Sequence, residues 1–261
     1  MKAIHNHILY WNGTEIIQLP PKYNVDSEGN VICTQSFSLE HTFDKIRKVT
    51  NSGLYCAFNG CTGLTGSISF PKLTKVDDGG LQSAFSGCTG LTGSISFPEL
   101  TYISYRGLQS AFSGCTGLTG SISFPKLNTI LNGGLENAFS GCTGITSVSF
   151  PEITATNYYH FRNAFQNCTE LTNVSFPKLA RIADSNDFQN AFQNCIKLTS
   201  ISFPQLTLIS RGTYSGLQDA FNGCTGMTEI HFREDAQSAI EGVPGYSSKF
   251  GATNATIYFD L

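Results

Sequence analysis

The nine cysteines are the first residues in this chain that could do chemistry. Thiolates ligate metals, form disulfides or attack electrophiles, and each role asks for its own spacing. No CxxC occurs. Cys61, Cys88, Cys115, Cys142, Cys168, Cys195 and Cys224 follow one another at steps of 26 to 29 residues. That is the step of a repeat, not of a metal-ligand motif. The spacing favours buried, reduced thiols that pack as small hydrophobes. Stacked neighbours would come close enough to pair, but seven is odd and a helical stack rarely offers disulfide geometry. Cys33 and Cys56 stand outside the series, and a bridge between them is an open alternative. Free thiols in this number fit a reducing cytosol or an anaerobic exterior. His5 and His7 form an HxH pair on one face of a strand, with no third ligand nearby in sequence. Solvated hairpin residues are the expected reading, so no metal and no cofactor is assigned. The 19 carboxylates are scattered, with no pair at glycosidase spacing. There is no GxSxG with a His and an acid, no phosphate loop and no HExxH. The chain reads as a non-enzyme.

Composition narrows the class further. Charged residues make up 13% of 261 and the formal net charge is −3, which gives no electrostatic footprint for nucleic acid. A hydrophobic share of 40% is too high for disorder. No run of 18 apolar residues exists, so no membrane insertion is expected. The start, MKAIHNHILYWNG, has no apolar core or cleavage site of a signal peptide. With 26 Gly, 20 Phe, 2 Met and 1 Trp, the narrow vocabulary points to a repeat.

Ala-Phe recurs with Phe at 58, 85, 112, 139, 165, 192 and 221, at steps of 27, 27, 27, 26, 27 and 29. Each Phe is followed by a Cys three residues on, then an apolar residue: Leu64, Leu91, Leu118, Ile145, Leu171, Leu198 or Met227. A second Phe closes each unit (Phe70, Phe97, Phe124, Phe150, Phe176, Phe203, Phe232), followed six times by Pro and once by Arg233. Residues 43–58 align to 70–85 without gaps and form a leading half repeat. Within a unit, Ser-Ile-Ser-Phe (67–70) alternates like a strand, and Pro71 ends it. Leu81, Ala84 and Phe85 fall at i, i+3 and i+4, so one or two helical turns are expected there. Gly87 and its equivalents are always Gly or Asn, which predicts a left-handed cap.

One strand and one short helix per ~27 residues cannot bury their own apolar face, but stacked copies can. The expected fold is an α/β repeat solenoid with a stacked parallel β-sheet. Two Phe ladders and one Leu ladder fill it. At ~4.8 Å per rung the seven rungs span about 34 Å. Ser69, Ser96, Ser123, Ser149, Ser175, Ser202 and His231 line the outer sheet face. Units one to three carry an extra Gly (LTGSISF), which predicts a bulge and a register change near residue 145. The division is a β-hairpin cap over 1–42, seven repeats plus the half repeat over 43–232, and a cap over 233–261, all one folded unit. Hairpins are expected at 7–19, around Asn12-Gly13, and around Asp26–Asn30. A short helix is expected over 234–243 and a last strand over 255–261, so the chain reads as capped at both ends.

The motif LxxAFxGCTGLTxISFPxL, over roughly 43–232, resembles the BspA-like leucine-rich repeat family. The resemblance implies a leucine-rich-repeat solenoid of the kind found on surface-associated or secreted proteins of bacteria and some protists. It also implies adhesion, binding of host proteins or cell–cell contact, with no shared catalytic site. The units here are longer than the family's commonest repeat, and no secretion signal or wall anchor is visible. The function expected is a non-catalytic adhesion module, extracellular or on the cell surface, binding a host protein or glycan. The alternative is a structural part of an assembly such as a phage tail or appendage, which leaves virion or cytoplasm open as locations.

In a repeat, a site shows as departure from the pattern. The connection after each strand varies most: DDGG (77–80), SYRG (104–107), LNGG (131–134), NYYH (157–160), ADSND (183–187) and SRGTYSG (210–216). These loops line one edge and hold Tyr105, Arg106, Tyr158, Tyr159, His160, Arg211 and Tyr214, with Tyr102 nearby. Tyr and Arg supply binding hot spots. Loop tips also tolerate any polar residue, and the hydroxyl strip on the sheet face is a second candidate. The alternating Lys72, Glu99, Lys126, Glu152, Lys178 and Gln205 place opposite charges on adjacent rungs, which is expected to fix register.

Overall fold

The computed structural model describes residues 43–44, 46–184, 186–210 and 216–261, and the backbone of 8–11, 15–18, 24–25, 31–32 and 37–38. His5, His7, Cys33, Arg211 and Tyr214 lie outside the described residues.

Seven repeats stack as the turns of a parallel β-solenoid. Each is taken here from the residue after one strand Phe to the next, so that repeat 1 is 44–70 and repeat 7 is 204–232. The apolar columns form one continuous core from Phe43 to Ala255. The Ala-Phe rings stack nearly parallel from rung to rung, with centroids 5.1 to 5.8 Å apart from Phe58 to Phe221. The strand Phe rings stack beside them, at 5.0 Å for Phe97 on Phe124 and 5.2 Å for Phe150 on Phe176. Offset stacking adds about 0.5–1.5 kcal/mol per pair beyond area burial. Each buried Cys from Cys88 to Cys224 donates its thiol to a Phe carbonyl of the preceding rung, at 2.9 to 3.3 Å. Burial pushes the Cys88 and Cys142 thiols up to about 12. These cysteines are free, as their spacing predicts, and so is Cys56, which excludes its bridge to Cys33. Cys61 departs from the expected ladder of free thiols: it is disulfide-bonded.

The sheet follows the inserted glycine. Leu64–Thr65 pairs in parallel with Phe37–Ser38, but between repeats 1 and 2 the strand ladder is reduced to isolated bridges, Gly66 with Leu91 and Ser69 with Ser96. Continuous strands begin at Thr119–Ser123, which pairs in parallel with Gly144–Ser149. The register between them shifts after Gly120, close to the expected residue 145. Gly66, Gly93 and Gly120 take φ of 84°, 75° and 76°, the left-handed kink of a bulge.

A second parallel ladder, absent from the sequence reading, runs beside the edge loops. It joins Lys48–Val49, Lys75–Val76, Tyr102–Ile103 and Thr129–Ile130, then starts again with Ala155–Thr156, Arg181–Ile182 and Leu208–Ile209. Two-residue strands leave no alternation to see.

The helical turn expected in each repeat is not formed. Leu81, Ala84 and Phe85 are buried as the periodicity requires, but the backbone is a run of tight turns. Alternate amides close i→i−3 bonds, such as Gln82 N–H to Gly79 O and Ala84 N–H to Leu81 O. The amides between them reach the next rung, such as Leu81 to Gly107 O and Ser83 to Gln109 O. An α-helix would satisfy its own amides; here the neighbouring rung takes half of them. One residue per turn is left-handed: Cys56, Ser83, Ser110, Asn137, Asn163, Asn190 and Asp219, with φ of 51° to 55°. These are mostly small polar types that tolerate this region, and they stop helix propagation. Gly87 and its equivalents are also left-handed, at 61° to 75°, as the Gly/Asn restriction predicts. Helix is confined, among the described residues, to 3₁₀ turns at Glu234–Ala236 and Lys249–Gly251 and an α-turn at Gln237–Ile240.

At the ends, Ile8–Trp11 pairs antiparallel with Glu15–Gln18, and Asn24–Val25 with Val31–Ile32, as two hairpins. Trp11 faces Glu15, so three residues connect the first hairpin rather than two. The last strand, Thr256–Phe259, extends the sheet beside Glu229–Phe232.

Candidate functional site

The edge loops stack directly on one another. Gly79 N–H reaches Tyr105 O at 2.9 Å, Arg106 N–H reaches Asn132 O at 3.1 Å, and Gly133 N–H reaches Tyr158 O at 2.9 Å. Tyr105, Asn132 and Tyr158 therefore form one column, and Arg106, Gly133 and Tyr159 the next. Two rungs separate the tyrosines of the first column, about 10 Å at ~4.8 Å per rung.

Tyr105, Tyr158 and Tyr159 are 45%, 51% and 41% exposed. Each pair of rings and guanidinium is local: Arg106 Cζ sits 4.8 Å from the Tyr105 centroid, and Arg162 Cζ 5.5 Å from that of Tyr159. Arg162 also meets Glu136 at 3.5 Å. Leu131, exposed in the loop between them, adds apolar area. Tyr102 is half-buried beneath Lys75, whose Nζ lies 4.8 Å from its ring. It flanks the patch rather than joining it. Lys75 and Lys48 both hold Asp77, at 3.1 and 2.7 Å. Burial alone raises the Asp77 carboxyl, but the two ammonium groups outweigh it and leave it below its ordinary value.

The backbone of this patch is strained. Arg106 and Tyr159 have φ of 53° and 65°, where the other loops place Gly79, Gly133 and Asn186, and Tyr158, at 51°, is left-handed in a column where Tyr105 and Asn132 are not. Bulky left-handed residues cost about 1–3 kcal/mol each and persist only when their surroundings hold them.

His160 does not belong to this surface. It is 3% exposed, so it cannot touch a ligand on the edge, and its place in the expected binding set is withdrawn. It lies in the column where the other repeats carry Gly53, Gly80, Gly107, Gly134 and Gly216, and the carbonyls of the last four accept the same rung-to-rung bond. A side chain in a glycine column points inward. The residues that sequence reading missed are Leu131, an apolar residue in a column of Asp77, Ser104, Asn157 and Ser210, and Arg162, a polar residue in a column of Gln82, Gln109 and Glu136. It also missed Thr156 and Asp187, which depart from their columns.

The hydroxyl strip is realised on the sheet face. Its ladder opens between Asn173–Ser175 and Ser200–Phe203, which belong to separate sheets, leaving a shallow groove lined by Thr172, Ser175, Ser200 and Ser202. The charge ladder is realised as pairs, Lys126 with Glu99 at 2.7 Å and Lys178 with Glu152 at 2.8 Å. No group of three metal-ligating side chains exists among the described residues, and among them no helix is long and apolar enough to cross a membrane.

The family description "BspA type Leucine rich repeat region" matches this sequence in six copies, over residues 34–163, 82–217 and 189–243. Among solved structures, a leucine-rich cell surface protein of Faecalibacterium prausnitzii is 15% identical, covering 95% of this chain and 93% of that one, with a TM-score of 0.27. The leucine-rich repeat protein TpLRR of T. pallidum is 18% identical, covering 91% and 97%, with a TM-score of 0.35. No curated protein matches. The repeat matches cover most of the chain, and they coincide with the stacked Phe, Cys and Leu columns that build its core. The protein belongs to the BspA-type leucine-rich repeat family.

Proposed function

We propose that this protein is a non-catalytic binding module that docks a partner protein along the edge loops of repeats 3 to 5, and that it works outside the cell. The observation that carries the reading is the cluster of Tyr105, Tyr158 and Tyr159. They are large, rigid aromatics exposed on one edge within two rungs of each other, and Tyr158 and Tyr159 are held in backbone that disfavours them. Tyr and Arg dominate binding hot spots because they bury much area at little entropic cost. The solenoid core behind the loops is continuous, so the platform is pre-organised.

The test is a binding screen of the whole chain against immobilised extracellular proteins and a glycan array, repeated with the Tyr158→Ala/Tyr159→Ala double variant. A protein ligand whose affinity falls at least tenfold supports the reading. A ligand bound equally by both forms moves the site elsewhere, with the Thr172–Ser202 groove next in line. Binding to glycans alone replaces the protein partner by a carbohydrate. Immuno-electron microscopy of source cells tests location, and label confined to the cytosol would defeat the exterior assignment.

A further inference from the structure

Repeats 5 and 6 depart from the others at three neighbouring columns. Thr156 stands where the others have Val49, Val76, Ile103, Ile130, Ile182 and Ile209. His160 and Asp187 stand in the glycine column. Phe161 and Phe188 replace its neighbouring Leu, and their rings stack at 4.9 Å. Gly80, Gly107 and Gly134 are forced by the β-branched side chain of their own repeat. A Cβ on Gly107 would lie 2.8 Å from Ile103 Cγ2, and one on Gly134 2.5 Å from Ile130 Cγ2. At position 160 the corresponding residue of the same repeat is Thr156, which carries a hydroxyl in place of one methyl of Val.

These residues bond to one another. Thr156 Oγ1 donates to Asp187 Oδ2 at 3.0 Å, and the His160 amide faces Asp187 Oδ1 at 3.4 Å. All three are buried. The consequence falls on the loop. In other repeats the first loop amide hooks onto the rung before: Asp77 to Val49 O, Ser104 to Val76 O and Leu131 to Ile103 O, at 2.8 to 2.9 Å. Asn157 N–H instead donates to His160 Nδ1 at 3.3 Å. The loop-side ladder breaks at this junction, between Thr129–Ile130 and Ala155–Thr156. Because Nδ1 accepts, the ring proton sits on Nε2, and Nε2 is buried with no partner among the described residues. A single ring bond anchors the start of the loop that carries Tyr158 and Tyr159.

We propose that Thr156, His160 and Asp187 form a buried polar latch that holds the Tyr158–Tyr159 loop in its outward pose, and that protonation of His160 releases it. The proton comes from solvent and takes the Nδ1 lone pair, so the Asn157 bond is lost and a cation is left in an apolar site. Burial already pushes the ring down to about 4, and pushes Asp187 up to about 7 against its Thr156 and His160 hydrogen bonds, helped by the charge of Asp184. The other charges near the cluster are Arg162, on the same turn, and Glu136 of repeat 4, which face each other. Residues 211–215 of repeat 7 lie outside the described residues. Thr156 and Asp187 are positioning residues, acting through His160 on the tyrosines.

The latch deepens the edge-docking reading but is read without any ligand, so the two fail separately. The measurement is a pH titration of the labelled full chain by NMR, following the His160 ring nitrogens and the amides of Asn157, Tyr158 and Tyr159. His160 is expected as the Nε2–H tautomer, with a midpoint well below 6.5 that those three amides share, while the amides of 104–107 stay still. His160→Gly, which restores the repeat's own residue, removes that step from the amides. Thr156→Val, the second variant, moves the midpoint upward toward 6.5. A ring titrating near 6.5 in the native chain overturns the proposal. So do Tyr158 and Tyr159 amides that ignore the His160 step, or a Thr156→Val midpoint that does not move.

Discussion

Repeats 2 to 4 and repeats 5 and 6 solve one problem in two ways. In both, the chain must pass from the loop-side ladder into the turn segment with no room for a side chain. Repeats 2 to 4 use glycine at 80, 107 and 134 and let the backbone bond rung to rung. Repeats 5 and 6 place His160 and Asp187 there, give up a ladder bond, and let side chains hold the loop. The difference teaches that the regular half is rigid by repetition, whereas the irregular half is held by groups whose protonation can change. The exposed tyrosine pair lies on the second kind.

The comparison can be broken most forcefully in the shared core. Phe112→Ala is expected to cost about 3–5 kcal/mol, the usual range for a fully buried Phe, measured by denaturant unfolding. Phe188→Leu, which installs the residue used at this column in other repeats, is expected to cost less than about 1.5 kcal/mol. Equal costs would mean that repeats 5 and 6 are not specifically repacked.

The glycine column gives the next effect. Gly134→Ala is expected to destabilise by about 1–3 kcal/mol through overpacking against Ile130, whereas His160→Gly leaves the chain folded. A harmless Gly134→Ala would remove the steric argument.

The pH dependence separates the halves of the cluster. Asp187, raised from 3.8 to about 7, binds its proton more tightly in the folded state. Its contribution to stability is therefore lost as pH rises from 3.8 to about 7. His160, lowered from 6.5 to about 4, has the opposite slope: stability falls as pH drops from 6.5 to about 4. The two nearly cancel between pH 4 and 6.5 in the native chain. Asp187→Asn should expose the His160 slope and lose stability in acid. His160→Gly should expose the Asp187 slope and gain it. Denaturant midpoints from pH 4 to 8 check both signs.

The smallest effect belongs to the exposed charge ladder. Lys126→Ala is expected to cost about 0.2–1 kcal/mol, and less at high salt, because both partners are half exposed. A thiol assay sharpens the contrast between core and surface. Cys56, half-buried and free, should react with a disulfide reagent in the native state, whereas Cys88 and Cys142, buried and pushed up to about 12, should react only on unfolding.

The edge patch was half legible. Tyr105, Tyr158 and Tyr159 stood out because aromatic residues interrupted Gly- and Asp-bearing loops. His160 stood out equally, but its meaning depended on the glycine column, and that column needs a structure to reveal its steric ceiling. Asp187 was hidden because ADSND looks like any polar loop.

By itself, the sequence determined the period, the stacking order and the buried columns. A residue repeated every 27 positions can be buried only if the copies stack, so Phe, Leu and Cys had nowhere else to go. It also marked Gly87 and its equivalents as left-handed and placed the register change near residue 145, since only Gly and Asn tolerate that backbone and an inserted residue must bulge. The tertiary structure alone decided where the backbone amides bond. Leu81, Ala84 and Phe85 present the same face in a helix and in a run of turns, and the choice fell to the neighbouring rung, which offers carbonyls at bonding distance. It also decided that His160 faces inward, because three residues from two repeats meet only when the chain is stacked.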